Sequence, residues 1–235
     1  MQMRAVALRK KPEAEIVFDT HPEVSLDFKH VRAALSKGYS KPFLLVDSNI
    51  VRDKTRRFKA AMPRVHPHYA VKANPDPRVL KTLIEEGAGF EIASIAELDL
   101  LLGLGVPAAE IYYSNPMKSR AYLEYAASKG VEWYVLDSVE ELRKIVSVKA
   151  DAKMYLRIDT PNIGSDWPLA GKFGAHAAEI KDIITEAVKL SADLAGVTFH
   201  VGLAVSQSAE LAGGYRARQE GICRYAPRRI ESAPA

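Results

Sequence analysis

Short apolar runs alternate with helical stretches through most of the chain. Seven runs have the length and the β-branched or aromatic composition of strands: residues 43–47, 68–72, 90–93, 111–114, 133–137, 154–159 and 197–201. Between them, apolar residues recur at helical spacing, as in residues 77–86 and 95–102. Ser94 with Glu97, and Ser138 with Glu141, have the spacing of a capping box and predict where two helices begin.

The spacing of the strands predicts a parallel sheet. From residue 72 to residue 157, successive strand ends lie about 20 residues apart, which fits repeated strand–helix–strand units. Such units build either a (β/α)8 TIM-type barrel or a doubly wound sheet. Polar residues recur where the strands end, and barrels carry their chemistry at that rim. We therefore predict an α/β barrel, truncated after six of its eight strands because only six runs follow residue 67.

The flanks of the chain break this pattern. Residues 1–40 are predicted to form an appendage with one strand (14–18) and one helix (26–35), and residues 41–202 the partial barrel. Residues 1–202 contain 17 lysines and 11 arginines, whereas residues 203–235 contain five arginines and no lysine. We predict a divergent tail over residues 203–235, with at most a short helix near 207–212, and hypothesise that a reading-frame change made it non-native to the fold.

Composition excludes several classes of protein. No apolar run approaches the roughly 18 residues of a membrane span, and no secretory signal follows the basic start. A single cysteine, Cys223, excludes an internal disulfide framework. The net charge is +4, but basic and acidic residues alternate along helices, which is typical of a solvated face. We therefore expect a cytoplasmic protein that binds neither membrane nor nucleic acid.

Several strand ends carry side chains capable of chemistry. Lys72 follows an apolar run; most such lysines are solvated, but an amine that loses its proton in an apolar pocket forms Schiff bases with carbonyls. His200 is either structural or a flat ring that stacks on an aromatic ligand. Glu91 and Arg157 can serve a site or simply pair with each other, and Glu97 is equally explained as part of a helix cap.

Two further patterns predict no site. The glycines of residues 103–108 follow a helix and precede a strand, the reverse of a dinucleotide-binding turn. His66 and His68 have no third ligand nearby, so no metal site is predicted.

Six ordered motifs resemble one known family. They are HYAVKAN from residue 68, GFEIAS from 89, YYSNPMK from 112, LRI from 156, GKFGA from 171 and TFHVG from 198. Over residues 14–202 the sequence resembles the N-terminal half of the pyridoxal-phosphate-dependent ornithine/lysine decarboxylases, which have the alanine racemase-like fold. The run from Arg157 to Lys172 is most similar to the bacterial subgroup.

The resemblance implies an activity and a cofactor. The expected reaction is decarboxylation of L-ornithine to putrescine, or of L-lysine to cadaverine, in polyamine biosynthesis, with pyridoxal 5′-phosphate as the electron sink. Lys72 matches the lysine that holds this cofactor as a Schiff base. A small basic amino acid is the expected substrate, and a homodimer is the expected assembly of the intact family.

The resemblance also implies supporting roles. His200 matches the histidine stacked on the cofactor ring. Glu91, Glu97 and Arg157 match the polar groups beside the cofactor and its lysine. Lys172 matches a lysine that faces the partner subunit.

The sequence departs from the family after residue 202. Leu203 stands where the family has a serine that helps to hold the phosphate, and Gly213–Gly214 and Cys223 lack the family's surrounding residues. The glycine-rich phosphate loop, the glutamate on the pyridine nitrogen and the C-terminal β-domain have no counterpart. Two alternatives therefore remain open: a catalytically dead homologue that binds a full-length decarboxylase or has no role, and a one-domain cofactor carrier.

Overall fold

The computed structural model describes residues 28–39, 42–160, 165–167, 171–200 and 203–205. Its helices are α1 (Phe28–Leu35), α2 (Ser48–Ala61), α3 (Pro77–Glu85), α4 (Ile95–Gly103), α5 (Arg120–Ser128), α6 (Val139–Val148) and α7 (Ala177–Lys189). Its strands are β1 (His68–Ala70), β2 (Gly89–Ile92), β3 (Ile111–Tyr113), β4 (Trp133–Leu136), β5 (Lys153–Arg157), β6 (Ser165–Trp167), β7 (Asp193–Thr198) and β8 (Leu203–Val205). The chain divides into two compact units, Met1–Ile50 and Val51–Ala235. None of the helices within the described ranges is long and apolar enough to cross a membrane.

In the first unit, one predicted element is confirmed and one is wrong. Helix α1 begins at Phe28, inside the predicted helix 26–35. Residues 42–47 form no strand, and the side chains of residues 43–46 are exposed. Strand composition alone does not make a strand, because the backbone also needs a neighbour to hydrogen-bond. The predicted strand at 14–18 lies outside the described residues.

The second unit contains a six-stranded parallel sheet in the order β1-β2-β3-β4-β5-β7. The spatial order of these strands is their order along the chain, and a helix follows each of the first five before the next strand of the sheet. A doubly wound sheet would reverse its order at a switch point. The order therefore favours the barrel, and the predicted six strands are confirmed.

The predicted domain boundary at 202 stays a prediction. Residues Leu203–Val205 form β8, which pairs antiparallel with β6 in a two-stranded sheet separate from the parallel one. The predicted helix near 207–212 lies outside the described residues, so the proposed origin of residues 203–235 stays a prediction.

The core fills the space between the sheet and the helices. Alternate residues of β2 and β5 are buried on the side of the helices, which is the period of two that strand geometry imposes. The buried side chains of the sheet include Phe90, Ile92, Tyr113, Tyr134, Leu136, Met154 and Leu156, and those of the helices include Leu80, Leu98, Leu123, Leu142 and Ile183. The intervening strand residues face the opposite side, where the polar positions of the sheet lie.

Both predicted serine caps are present, but neither glutamate completes a capping box. The hydroxyls of Ser94 and Ser138 accept from the backbone N–H groups of Glu97 (3.3 Å) and Glu141 (3.2 Å). The Glu97 carboxylate accepts instead from the N–H of Ala93, one residue before the cap, at 2.8 Å. Glu141 turns into the protein. The serines therefore set the helix starts, and the glutamates have other partners.

Glu141 belongs to a buried cluster of charges. Its carboxylate lies 2.9 Å from Nζ of Lys118 and 2.5 Å from Nζ of Lys144. The Lys118 ammonium also donates to the carbonyl oxygens of Asn115 (3.0 Å) and Val135 (2.7 Å). Burial lowers the pKa of Lys118, and Glu141 opposes that shift. The cluster ties together the carboxyl ends of β3 and β4.

Candidate active site

A cavity of about 170 Å³ lies at the carboxyl ends of the parallel strands. Its lining residues are Ala70, Lys72, Glu91, Ile92, Ala93, Glu97, Ser114, Val135, Tyr155, Arg157, Thr198, Phe199 and His200. Five of the six predicted site residues are therefore brought together from four strand ends and one helix. The sixth, Lys172, is not part of this lining.

Lys72 lies two residues later than the end of its strand. Strand β1 ends at Ala70, and residues Val71–Ala73 form a short 3-10 turn. Val71 is fully buried and anchors the turn, whereas the Lys72 side chain is exposed at the cavity. The predicted strand to residue 72 was thus too long, because Asn74 and the following prolines turn the chain toward α3.

The two glutamates approach the cavity from different elements. Glu91 lies on β2, in register with Ala70 of β1 and Tyr112 of β3. Glu97 lies in the first turn of α4, and its bond to the N–H of Ala93 holds its carboxylate at the end of β2. Glu97 is thus both part of a helix start and part of the cavity lining, so the two interpretations of this residue are compatible.

Arg157 packs against an aromatic ring rather than forming the simple pair with Glu91. Its guanidinium carbon lies 5.2 Å from the ring centroid of Phe173. Burial lowers the pKa of Arg157, while Asp137 and then Glu91 oppose this shift through their negative charges. The guanidinium stays charged, because arginine keeps its proton in proteins even when burial lowers its pKa. A cation is therefore held at the end of β5.

The segment that carries Phe173 is fixed to the barrel by its backbone. The N–H of Gly174 donates to the Asp137 carboxylate at 3.0 Å, and the N–H of Ala175 donates to the carbonyl of Arg157 at 2.9 Å. Gly174 has φ +104°, and a Cβ there would lie 2.7 Å from the backbone N of Asp159. Only glycine fits this approach without strain.

Lys172 lies beside the same ring. Its Nζ is 5.3 Å from the Phe173 centroid, and its side chain is exposed. Phe173 thus contacts two cations, one in the cavity lining and one outside it. The expected contact of Lys172 with a partner subunit stays a prediction.

His200 has the properties of a neutral ring. Burial lowers its pKa, and the positive charges of Arg157 and Lys72 lower it further, while Glu91 opposes them. The hydroxyl of Thr160 donates to the backbone carbonyl of His200 and holds the end of this segment. A flat, uncharged imidazole at a barrel mouth can stack on an aromatic ligand.

The sequence analysis missed a pair of hydroxyl groups in the lining. Ser114 Oγ and Tyr155 OH are 2.8 Å apart, although 41 residues separate them in the chain. Tyr155 could have been found from the sequence. It lies two residues before Arg157 on β5, and alternation along a strand places both side chains on the same face.

Comparison with known proteins identifies the family. Residues 48–225 match the family model described as "Pyridoxal-dependent decarboxylase, pyridoxal binding domain". The chain belongs to this family. The match confirms the predicted family and its pyridoxal cofactor.

Curated relatives of this decarboxylase-family chain are longer than the chain itself. It is 42% identical over 163 residues to ornithine decarboxylase of Schizosaccharomyces pombe, covering 69% of this chain and 38% of that protein. It is 40% identical over 166 residues to antizyme inhibitor 2 of Xenopus laevis, covering 71% and 36%. The chain thus spans well under half the length of these relatives.

Solved structures show the same fold. The arginine decarboxylase of Paramecium bursaria Chlorella virus, bound to agmatine, matches with a TM-score of 0.74 and 32% identity, covering 83% of this chain and 54% of that one. The lysine/ornithine decarboxylase of Vibrio vulnificus, complexed with cadaverine, matches with a TM-score of 0.71 and 28% identity, covering 87% and 55%. The alanine racemase-like barrel fold is therefore confirmed for the part present.

The groups in the cavity fit the family's cofactor. Lys72 offers an amine to an aldehyde, His200 a flat neutral ring, and Arg157 a fixed cation. Glu91 and Glu97 supply carboxylates that suit a cationic nitrogen. This set of groups is chemically compatible with the aldehyde and the ring of pyridoxal phosphate.

Proposed function

We propose that this chain forms the cofactor-binding half of a pyridoxal-phosphate-dependent decarboxylase that acts on a basic amino acid. The substrate is L-ornithine, giving putrescine, or L-lysine, giving cadaverine. The cavity at the strand ends is the observation that carries the proposal, because one lining joins the amine of Lys72 to Glu91, Arg157 and His200.

Each side chain has a role that follows from its place. Pyridoxal phosphate, when bound, supplies the electron sink for loss of the carboxylate. Lys72 supplies the amine that binds the cofactor's aldehyde. The charges of Glu91 and Glu97 stabilise protonated nitrogen near that amine. The neutral ring of His200 covers an aromatic face, and Arg157, held by Phe173, offers a cation to an anionic group.

The relatives support the substrate class. They include an ornithine decarboxylase and solved lysine/ornithine and arginine decarboxylases complexed with cadaverine and agmatine. All these substrates or products carry an amine or guanidine at the end of an alkyl chain. We place the chain in polyamine biosynthesis on this basis.

We further propose a cytoplasmic protein that assembles as a homodimer and binds neither membrane nor nucleic acid. Mixed charges along its helices support the absence of a nucleic-acid surface. Lys172 supports the dimer, since its exposed ammonium beside Phe173 is available to a partner subunit.

Product analysis tests the proposed activity. Supplied with pyridoxal phosphate and the C-terminal half of a decarboxylase of this family, the chain should release CO2 from L-ornithine or L-lysine and form the matching diamine, and Lys72→Ala should not. Binding of the cofactor without CO2 release from L-ornithine, L-lysine or L-arginine would reject the enzyme and favour a non-catalytic homologue.

The second candidate is a homologue that binds a full-length decarboxylase without catalysis. The open sheet favours it, since β1 and β7 each have one neighbour among the described strands of that sheet. One of the relatives, antizyme inhibitor 2, carries a name that is not that of a decarboxylase. Co-purification with a full-length decarboxylase, unchanged by Lys72→Ala, would support this candidate over the enzyme.

A further inference from the structure

Two hydroxyl groups in the cavity wall have no role in the proposed function. Ser114 follows β3, and its backbone N–H donates to the carbonyl of Ile92 at 2.8 Å, which fixes its position. Tyr155 lies in the middle of β5. Their oxygens are 2.8 Å apart, and either can be the donor.

The pair bridges one strand of the sheet. Ser114 follows β3 and Tyr155 lies on β5, so β4 runs between them. Val135 of β4 is in register with Tyr155, and all three residues line the cavity. The tyrosine side chain therefore crosses β4 on the cavity side, and the two hydroxyls form part of the cavity wall.

A count of protons shows that the pair has one left to donate. Two hydroxyls carry two protons, and the bond between them uses one. Within the described part of the chain, neither hydroxyl has another hydrogen bond to protein. A hydroxyl proton facing a partly buried cavity needs an acceptor there, because leaving it unpaired costs free energy.

The tyrosine keeps its proton at neutral pH. Burial raises the pKa of Tyr155, and the negative charge of Glu91 raises it further, although the bond to Ser114 opposes the shift. The pair is therefore a stable donor, and its natural acceptor is an anionic oxygen. Hydrogen bonds to charged acceptors are about twice as strong as those between neutral groups.

We propose that the Ser114–Tyr155 pair donates a hydrogen bond to an anionic oxygen of the bound pyridoxal cofactor. This inference rests on the proposed function only in its cofactor-binding step. The acceptor is either the ring oxygen or a phosphate oxygen of the cofactor. The pair thus determines how tightly the cofactor binds and how its ring absorbs light.

Cofactor titration without substrate tests the inference. Tyr155→Phe keeps the ring and removes the hydroxyl, so we expect the Kd for pyridoxal phosphate to rise about tenfold and the absorbance maximum of the bound cofactor to shift. Ser114→Ala should change both in the same direction. Because the two hydroxyls act as one unit, the double variant should lose less than the product of the single effects.

Tyr125→Phe is the matched control. The Tyr125 hydroxyl bonds to Asp99 at 2.8 Å, both residues lie on helices outside the cavity lining, and this variant should bind the cofactor like the wild type. Circular dichroism checks the fold of each variant.

A parallel titration with pyridoxal, which lacks the phosphate, identifies the acceptor. If Tyr155→Phe also raises the Kd for pyridoxal about tenfold, the acceptor is the ring oxygen. If it leaves the Kd for pyridoxal unchanged, the acceptor is a phosphate oxygen. Equal Kd and equal spectra for wild type, Tyr155→Phe and Ser114→Ala would overturn the inference alone. A folded wild type that binds no cofactor would overturn the proposed function and this inference with it.

Discussion

At the scale of single residues, Glu141 is buried between two lysines. Glu141→Gln would leave Lys118 buried without its counter-charge, and removing one partner of a buried pair costs about 3 kcal/mol. We expect the free energy of unfolding in urea to fall by that amount. Glu140→Gln, a change at the exposed neighbour, should leave it unchanged. Equal stability of the two variants would contradict the role of the cluster.

The pKa of His200 predicts a dependence of stability on pH. Folding lowers this pKa below 6.5, so the native state favours the neutral ring, and protonation favours the unfolded chain. The free energy of unfolding should therefore decrease as pH falls below about 6.5. His68, whose pKa burial also lowers, acts in the same direction.

His200→Gln measures how much His200 contributes to the pH dependence of the free energy of unfolding. We expect a shallower slope of unfolding free energy against pH in the variant than in the wild type below pH 6.5. Parallel slopes would show that the environment of His200 does not favour its neutral form.

The site and capping residues that could be predicted are those marked by a pattern in their immediate sequence neighbours. Lys72 and His200 end short apolar runs, and the serine caps are visible from their spacing. The partners of Glu141 and Tyr155 were not predictable in this way, because Lys118 lies 23 residues from Glu141 and Ser114 lies 41 residues from Tyr155. Such contacts depend on which strand ends meet in the folded sheet.

At the scale of elements, the segment around Gly174 holds the end of β5. Gly174→Ala would force a positive φ on a residue with a Cβ and press that atom against the Asp159 backbone. We expect a loss of about 1–3 kcal/mol in the free energy of unfolding. Gly103→Ala, in a helix with open space around the new Cβ, should be neutral or stabilising. Gly174→Ala as stable as Gly103→Ala would refute this packing.

Helices and strands could be predicted where the local sequence pattern agrees with the strand pairing in the folded sheet. The parallel strands from β1 to β5 and the helices α3 and α4 lie where the sequence predicts them. Residues 43–47 have the composition of a strand but form none, because pairing is a property of neighbours and not of the segment itself. Composition and spacing therefore locate elements without deciding which of them pair.

At the scale of the whole molecule, the edges of the parallel sheet predict self-association. Among the described strands, β1 and β7 each have one neighbour in that sheet, and strand edges without a partner pair readily with other chains. Val197 is 44% exposed on the edge strand β7, so Val197→Lys should reduce the self-association measured by sedimentation velocity at increasing concentration. Val188→Lys, at a residue 71% exposed on α7, should not. Equal reductions by both variants would point to general solubility instead of edge pairing.

The barrel architecture could be predicted from the sequence, but the part that completes the barrel could not. Spacing of about 20 residues predicted the parallel sheet, and the order of the strands decided for the barrel over the doubly wound sheet. The sequence could not show what completes the barrel, since the chain covers 54–55% of the solved structures described above.

Borohydride reduction identifies the lysine that binds the cofactor. The folded chain is mixed with pyridoxal phosphate, reduced, digested and mapped by mass spectrometry. When pyridoxal phosphate is saturating and the incubation is short, we expect one dominant modified residue, Lys72. No label on Lys72, or label spread evenly over the exposed lysines, would contradict the assignment of this cavity as the cofactor site.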